Sequence, residues 1–321
     1  AAAGVAGTLV VLWLLGLLGG GEYAATETTG DVVVLREIVS EGGGATSASA
    51  VGRKVTPIVV TVEMGDSAAD GSFQQTGLGS GVVLTSNGYI VTNHHVVEDA
   101  VRIRIVVQDG TTYEGELVGS DARTDLAVVR IEADELTPID LGQTDTLSIG
   151  DIAIAVGNPH GLEGGASLTL GVLSAFEREV STSDSGTLFG MLQTDAPITR
   201  GSSGGALVDS EGRLIGITTA VGVSSAGAEG IGFAVPVEVV DRIAEELIES
   251  GEVRHAFLGV RLENYFESVD GATSRPAGAL VSEFPDGVDS AAAGAGLRTD
   301  DVIIAANGDT VTTRDDLISI L

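Results

Sequence analysis

The chain has 321 residues, of which 43% are hydrophobic, so it can bury a substantial core in one to three domains. Its 46 acidic and 16 basic residues give a formal net charge of −30, which argues against nucleic acid as a partner because phosphate binding needs basic patches. The absence of cysteine excludes disulfides, thiolate metal sites and cysteine nucleophiles. Lys54 is the only lysine; such a surface is typical of proteins from salt-loving organisms, with a simply solvated acidic surface as the alternative.

The N-terminal segment is apolar. Residues 1–21 carry no charge and include TLVVLWLLGLLGG. A bilayer is spanned by about 20 apolar residues, so this segment is predicted to be a transmembrane helix or signal anchor, with a cleaved signal peptide as the alternative. Acidic residues follow it, and no Lys or Arg precedes Arg36. The positive-inside rule therefore predicts a single-pass protein of the cell membrane with its remainder on the extracytoplasmic side.

The next segment is rich in small residues. Residues 22–52 include SEGGGATSAS and are predicted to be a flexible linker, with order beginning near Arg53. From there to Val235 the pattern is that of short strands, with hairpin turns at Ser86-Asn87-Gly88 and at Asp109-Gly110. Many short strands at this spacing indicate antiparallel barrels or a sandwich.

A helix is predicted from Pro236 to Gly251, because proline suits the first helical position and glycine the stop. A domain boundary near Ser250 follows, and residues 251–321 are predicted to form a small α+β unit. Apolar residues recur at helical spacing in the helix: Val240, Ile243, Ala244, Leu247 and Ile248.

The stretch RGSSGGAL, residues 200–207, sets two serines among glycines. A phosphate-binding loop is excluded because it needs a lysine directly after its last glycine, and Lys54 lies far upstream. A flexible linker is excluded because strand-forming sequence follows at once. A turn that carries a nucleophilic serine remains, with a glycine bulge between strands as the alternative; a nucleophile would need a base, an orienting acid and oxyanion donors.

Histidine and aspartate candidates for such a site precede the serines. His94 and His95 follow a strand in GYIVTNHHVVED, and Asp121 and Asp125 lie in DARTDLAVVRI. The order His, Asp, Ser is that of the chymotrypsin-type double barrel. The other histidines, His160 and His255, are in predicted loops.

The segments TNHHVV, DARTDLAVV and TRGSSGGAL resemble the three signature segments of the HtrA (Deg) family of serine proteases. The resemblance covers about residues 53–321. It implies a mainly β fold: a chymotrypsin-like double β-barrel protease domain over residues 53–250, then a C-terminally incomplete α+β PDZ domain over residues 251–321.

By this resemblance His95 is the catalytic base, Asp125 the orienting acid and Ser203 the nucleophile. The backbone N–H groups of Gly201 and Ser203 would form the oxyanion hole. Ser202 stands where the family usually has asparagine, and Ser202 as nucleophile is the minor alternative. The other candidates are given no catalytic part: Asp195 is structural, His160 and His255 are loop residues, and His94 points away from His95 because adjacent side chains in extended backbone alternate.

The resemblance also assigns accessory residues. Val221 would line the substrate pocket, which favours a small or medium apolar residue before the cleaved bond, although Val221 could be only a core residue. Arg178 would be a regulatory loop arginine, with a surface arginine of no such role as the alternative. The PDZ peptide-binding loop would consist of Phe257, Leu258, Gly259 and Val260.

The sequence thus predicts a membrane-anchored serine endopeptidase that cleaves unfolded or damaged proteins, with PDZ-mediated peptide binding or regulation. The family resemblance implies a homotrimer or a higher multiple, and neither a cofactor nor a metal is implied. The alternatives are a non-cleaving peptide-binding holdase and a membrane-tethered PDZ scaffold.

Overall fold

The computed structural model describes residues 47–133, 135–161, 165–182, 186–219, 231–268 and 274–321. The predicted membrane segment, most of the predicted linker and the pocket residue Val221 lie outside the described residues. Within the described ranges, no helix is both long enough and apolar enough to cross a membrane.

A helix, Ser47–Val55 (α1), precedes the first strand, so order begins earlier than the predicted position near Arg53. Val51 and Val55 lie about one helical turn apart and are both buried, next to Gly212. The linker prediction was wrong for residues 47–52 because the burial of these two valines favours a helix that the small-residue composition does not reveal.

The first six strands close into a barrel in the order β1-β2-β3-β6-β5-β4, all paired antiparallel. The two predicted hairpin turns are confirmed between β2 and β3 and between β4 and β5. Gly88 in the first turn has φ 98°, and a Cβ there would lie 2.1 Å from the Ile131 carbonyl, so this turn requires glycine. The strands are Val59–Ser67 (β1), Phe73–Val83 (β2), Tyr89–Thr92 (β3), Arg102–Val106 (β4), Thr112–Asp121 (β5) and Leu126–Ile131 (β6).

The next six strands close into a second barrel in the order β10-β11-β12-β9-β8-β7. The prediction of a mainly β double barrel is therefore confirmed, and the sandwich alternative is wrong. A separate cluster of buried alanine, leucine and isoleucine side chains, including Ala153, Ala155 and Leu173, packs within it. The strands are Ile152–Gly157 (β7), Ser167–Ser181 (β8), Thr187–Thr194 (β9), Ala206–Val208 (β10), Leu214–Thr219 (β11) and Gly232–Pro236 (β12).

The predicted helix is present as Val237–Ser250 (α3), after a short helix His94–Val97 (α2) that follows β3. Pro236 ends β12 and caps α3 rather than opening it, and Gly251 ends the helix with φ 76°. A Cβ on Gly119 in β5 would lie 2.3 Å from the Gly251 carbonyl, so the end of α3 sits directly on the first barrel.

Residues beyond α3 form the predicted small α+β unit. Its three-stranded sheet has the order β13-β14-β15 and packs on a small core that contains Ala279, Val311 and Leu317. Arg314 contacts Glu179 of β8 at 3.0 Å, which links this unit to the second barrel. The elements are Arg261–Ser268 (β13), Ser274–Glu283 (β14), Ala291–Gly294 (α4), Val302–Ile303 (β15), Ala305–Ala306 (β16), Asp309–Thr310 (β17) and Arg314–Ile320 (α5).

Candidate active site

His95 lies in α2, directly after the strand β3. Its Nδ1 is 2.9 Å from both Oδ1 and Oδ2 of Asp125, and its backbone N–H donates to Oδ1 at 3.1 Å. A carboxylate only accepts hydrogen bonds, so this contact assigns the ring proton to Nδ1 and leaves Nε2 as the acceptor. A neutral imidazole held in this way can take a proton from a hydroxyl at Nε2.

Asp125 occupies an unusual backbone position between β5 and β6. Its φ is 56°, in the left-handed region, and the residue is 1% exposed. Its carbonyl accepts from the Asn93 side-chain amide at 2.8 Å and from the His94 N–H at 3.1 Å, while its carboxylate faces His95. Thr219 adds a hydrogen bond to Oδ2 at 3.0 Å. These contacts hold the backbone of the buried acid in place and provide hydrogen bonds to its carboxylate.

The turn that carries Ser202 and Ser203, the serine turn of residues 200–205, lies between the two barrels and is held by both. Ser80 of β2 donates its N–H to the Ser203 carbonyl at 2.8 Å and its hydroxyl to the Gly201 carbonyl at 2.7 Å. Thr218 of β11 donates its hydroxyl to the Ser202 carbonyl at 2.6 Å. Gly201 has φ 90°, a conformation that favours glycine in such a turn.

Two adjacent threonines tie the acid to the serine turn. Thr218 binds the Ser202 carbonyl, and Thr219, next to it in β11, binds the Asp125 carboxylate. Thr92, just before the segment that carries His95, donates to the Ser80 carbonyl at 2.7 Å. Sequence reasoning missed Thr218, Thr219 and Ser80, because their contacts depend on how distant strands are placed; the paired threonines at the end of GITT gave no specific signal.

Gly204 allows the serine turn to approach the strand that leads to His95. A Cβ there would lie 2.1 Å from the Ser80 carbonyl oxygen and 2.3 Å from Thr92 Oγ1, and the residue has φ 82°. We expect Gly204→Ala to cost about 2–5 kcal/mol of unfolding free energy, since it adds overpacking to left-handed strain. Gly71→Ala is the matched control, because Gly71 has φ 80° and its Cβ would meet nothing within 4 Å.

Urea unfolding compares the two alanine variants with the wild-type protein. The control variant should lose only about 1–2 kcal/mol, the cost of the left-handed conformation alone. Equal losses in the two variants would contradict the close approach at Gly204.

The structure separates the candidate acids. Asp125, and not Asp121, contacts His95. Asp121 instead accepts from Thr124 and lies 2.8 Å from His255 Nε2. Asp195 accepts the Val172 N–H at 2.7 Å, between strands of the second barrel.

The four histidines are also distinguished. His94 lies in a helix, so the expected extended backbone was wrong; its ring contacts Ser120 Oγ at 3.0 Å and Glu98 at 3.2 Å because these side chains flank α2. His160 lies in a 3₁₀ turn, Pro159–Gly161. His255 is more than a loop residue, since its side chain is largely buried against Asp121.

Asp121 titrates in a buried hydrogen-bond network. Burial alone would raise the pKa of its carboxyl, but hydrogen bonds from Thr124 and His255 outweigh burial and lower the pKa below 3.8. The native state thus binds fewer protons than the unfolded state near this pH, so the network stabilises at neutral pH and is lost as the pH falls through the lowered pKa.

We expect Asp121→Asn to lower the unfolding free energy by about 1–3 kcal/mol at pH 7, because buried donors lose their charged acceptor. The difference from wild type should begin to shrink below about pH 4, where the unfolded carboxyl takes up a proton, and should disappear once the pH has fallen through the lowered native pKa. Urea midpoints at pH 7 and near pH 3 measure it, and a pH-independent difference would contradict the assignment.

Accessory predicted residues have clear positions. Arg178 donates to the Gln193 side chain at 2.9 Å, between β8 and β9.

The Leu258 carbonyl, in the predicted peptide-binding loop, accepts from Ser290 Oγ and from the Ala292 N–H, both at 3.0 Å. The predicted peptide-binding loop has Gly259 at φ 69° and ends at Val260, before β13, and Phe257 is 66% exposed.

Two closed six-stranded barrels, with a buried aspartate on a histidine and a glycine-flanked serine turn between them, define a trypsin-like serine peptidase fold. The model of the trypsin-like peptidase domain family matches residues 79–217. With the relatives and structures below, this shows that the chain belongs to the HtrA/Deg family of serine proteases.

The chain is similar to curated proteins that carry serine endoprotease names. It is 44% identical over 241 residues to the probable periplasmic serine endoprotease DegP-like of Chlamydia trachomatis, covering 73% of this chain and 46% of that protein. It is 39% identical over 247 residues to the periplasmic pH-dependent serine endoprotease DegQ of Escherichia coli, covering 76% and 53%. The chain therefore spans about half the length of these relatives.

A solved structure agrees over more of its length. The HtrA-type protease AlgW with a tripeptide superposes with a TM-score of 0.70 at 33% identity. The match covers 86% of this chain and 88% of that one.

Proposed function

We propose that this chain is a serine endopeptidase in which Ser203 is the nucleophile, His95 the general base and Asp125 the residue that orients the base. The observation that carries the proposal is the contact of His95 Nδ1 with both carboxylate oxygens of the buried Asp125, at 2.9 Å. This contact leaves Nε2 as the proton acceptor, which is what the attack of a serine hydroxyl on an amide requires.

The reaction runs in two halves. Ser203 Oγ forms a bond to the scissile carbonyl carbon as its proton passes to His95 Nε2, and the imidazolium is stabilised by Asp125. The C–N bond then breaks, and His95 gives the proton to the leaving amine. In the second half, His95 takes a proton from a water molecule as that water attacks the acyl carbonyl carbon. His95 then gives the proton to Ser203 Oγ as the ester bond breaks, which releases the acid and restores the serine.

The tetrahedral intermediate needs donors for its negatively charged oxygen. We assign this role to the backbone N–H groups of Gly201 and Ser203, each typically worth about 2.7–4 kcal/mol of transition-state stabilisation. The peptide between Gly201 and Ser202 is held by Ser80 Oγ at its carbonyl and by the Thr199 carbonyl at its N–H. These bonds support the proposal because they hold in place the peptide that lies between the two donor N–H groups.

The substrates proposed are unfolded or damaged proteins, cleaved on the extracytoplasmic side. The relatives named periplasmic serine endoproteases support this location. Residues 1–21 would anchor the chain in the membrane, and Val221 would line a pocket for a small or medium apolar residue. An acidic chain of net charge −30 suits a saline medium, since the Debye length falls to about 3 Å at 1 M salt.

Residues 251–321 are proposed to be a PDZ-type unit that binds peptide through residues 257–260. Solved AlgW structures with a tripeptide and a decapeptide support a peptide-binding protein of this type. Arg178 would transmit the peptide signal to the serine turn, and the chain would assemble as a homotrimer or a higher multiple.

Fluorophosphonate labelling with site mapping tests the proposal. The probe forms a covalent bond only with an activated serine, so we expect a single modified peptide that contains Ser203. Casein digestion at high salt measures turnover in parallel. Failure to label together with absence of cleavage would instead favour the non-cleaving peptide-binding holdase.

A further inference from the structure

His255 makes a long-range contact that the triad chemistry does not use. It lies in the segment after α3, and its Nε2 is 2.8 Å from Asp121 Oδ1, a residue 134 positions earlier in the chain. The two side chains are only 13% and 10% exposed. A buried imidazole–carboxylate contact of this length is charge-assisted and geometrically restrictive.

Asp121 is the last residue of β5 and sets the turn that leads to the catalytic acid. Its second oxygen, Oδ2, accepts from the Thr124 N–H at 3.0 Å and from Thr124 Oγ1 at 2.6 Å. Thr124 directly precedes Asp125, whose left-handed φ of 56° depends on how this turn is held. His255 Nε2 contacts Oδ1 of the same carboxylate, so both carboxylate oxygens are held by hydrogen bonds.

The strand end next to Asp121 is held independently. Ser120 Oγ is 3.0 Å from Nδ1 of His94, the neighbour of the proposed base. Gly119 lies against the carbonyl of Gly251, which starts the segment that carries His255. The end of β5 is thus fixed on one side by α2 and on the other by the segment after α3.

We propose that His255 is a positioning residue for the peptidase, which holds Asp125 in register with His95 by donating from Nε2 to Asp121. The inference rests on the proposed function of Asp125 and His95. Without the donor, the buried carboxylate of Asp121 would rotate toward another partner. Thr124, which is hydrogen-bonded to that carboxylate, would move with it and displace Asp125. A small displacement of Asp125 is enough to impair the orientation of the imidazole.

The decisive comparison is His255→Gln with His255→Asn. The glutamine amide nitrogen can reach the place of the imidazole Nε2, whereas the asparagine amide is too short. We expect His255→Asn to lower kcat and the rate of fluorophosphonate labelling by about tenfold or more with KM unchanged, because the proposed role of His255 acts through Asp121 and the turn before Asp125. His255→Gln should keep at least about half of the wild-type rate.

Controls separate positioning from folding. Arg254→Ala, at a side chain that is 84% exposed, is expected to match wild type in rate and melting temperature. All rates are measured well below the lowest melting temperature. The double variant Asp121→Ala with His255→Asn should be no slower than Asp121→Ala alone, since either change removes the contact between the two side chains.

Three results would overturn the proposal. His255→Asn could equal His255→Gln in rate, it could lower only the melting temperature, or it could raise activity, which would make the contact inhibitory. A Ser203→Ala sample tested alongside distinguishes these results from a failure of the proposed function. Cleavage by that sample at the wild-type rate would reject the peptidase mechanism whatever His255 does.

Discussion

Replacement of Ser203 by alanine is expected to lower kcat by about 10⁶-fold, because loss of the nucleophile of a triad typically costs about that factor. The substitution removes one oxygen and leaves in place the backbone contacts of the turn, such as that from the Ser80 N–H to the Ser203 carbonyl. The melting temperature should therefore change little, and the loss would report chemistry. Peptide hydrolysis at high salt and fluorophosphonate labelling measure it.

Ser202→Ala is the matched control, one residue away in the same turn. Ser202 is held through its backbone, with its N–H on the Thr199 carbonyl and its own carbonyl on Thr218 Oγ1. Its Cβ lies close to Gly157 at the end of β7. We expect this variant to keep activity within about tenfold of wild type. The reverse pattern would move the nucleophile to Ser202, and full activity in both variants would end the peptidase proposal.

Local features of the fold could be predicted from the sequence. The turns at Asn87-Gly88 and Asp109-Gly110 and the stop of α3 at Gly251 follow from backbone chemistry that a few neighbouring residues determine. The choice between barrels and a sandwich could not be settled by the same patterns, since both use short alternating strands. Closure depends on pairings such as β1 with β4, which no local signal specifies.

In the candidate site too, some residues could be predicted from the sequence and others could not. His95, Asp125 and Ser203 stand in short motifs, so the sequence could nominate them before any fold was known. Thr218 and Thr219 could not be nominated, because their roles arise only when β11 lies beside both the serine turn and the acid. The His255 contact joins residues 134 positions apart, and neither neighbourhood carries a pattern that indicates the other.

Asp125→Asn is expected to lower kcat by roughly 10⁴-fold while the fold is retained. The wild-type carboxylate accepts hydrogen bonds from His95 Nδ1, from the His95 backbone N–H at Oδ1 and from the Thr219 hydroxyl at Oδ2. An asparagine must keep its oxygen toward the backbone N–H of His95, which can only donate, so it turns its NH₂ group toward Nδ1 and the Thr219 hydroxyl, both of which can accept. The ring proton then moves to Nε2, which can no longer accept the proton of the attacking serine.

The pH dependence of this variant gives a second readout. Since the fault is the tautomer of His95, activity should recover partly at high pH, where hydroxide can assist removal of the serine proton. Asp109→Asn is the matched control, because Asp109 is an exposed carboxylate at a hairpin tip that accepts the Thr111 N–H. The control should keep wild-type kcat. Activity of Asp125→Asn within about tenfold of wild type at neutral pH would mean that the buried carboxylate does not orient the base.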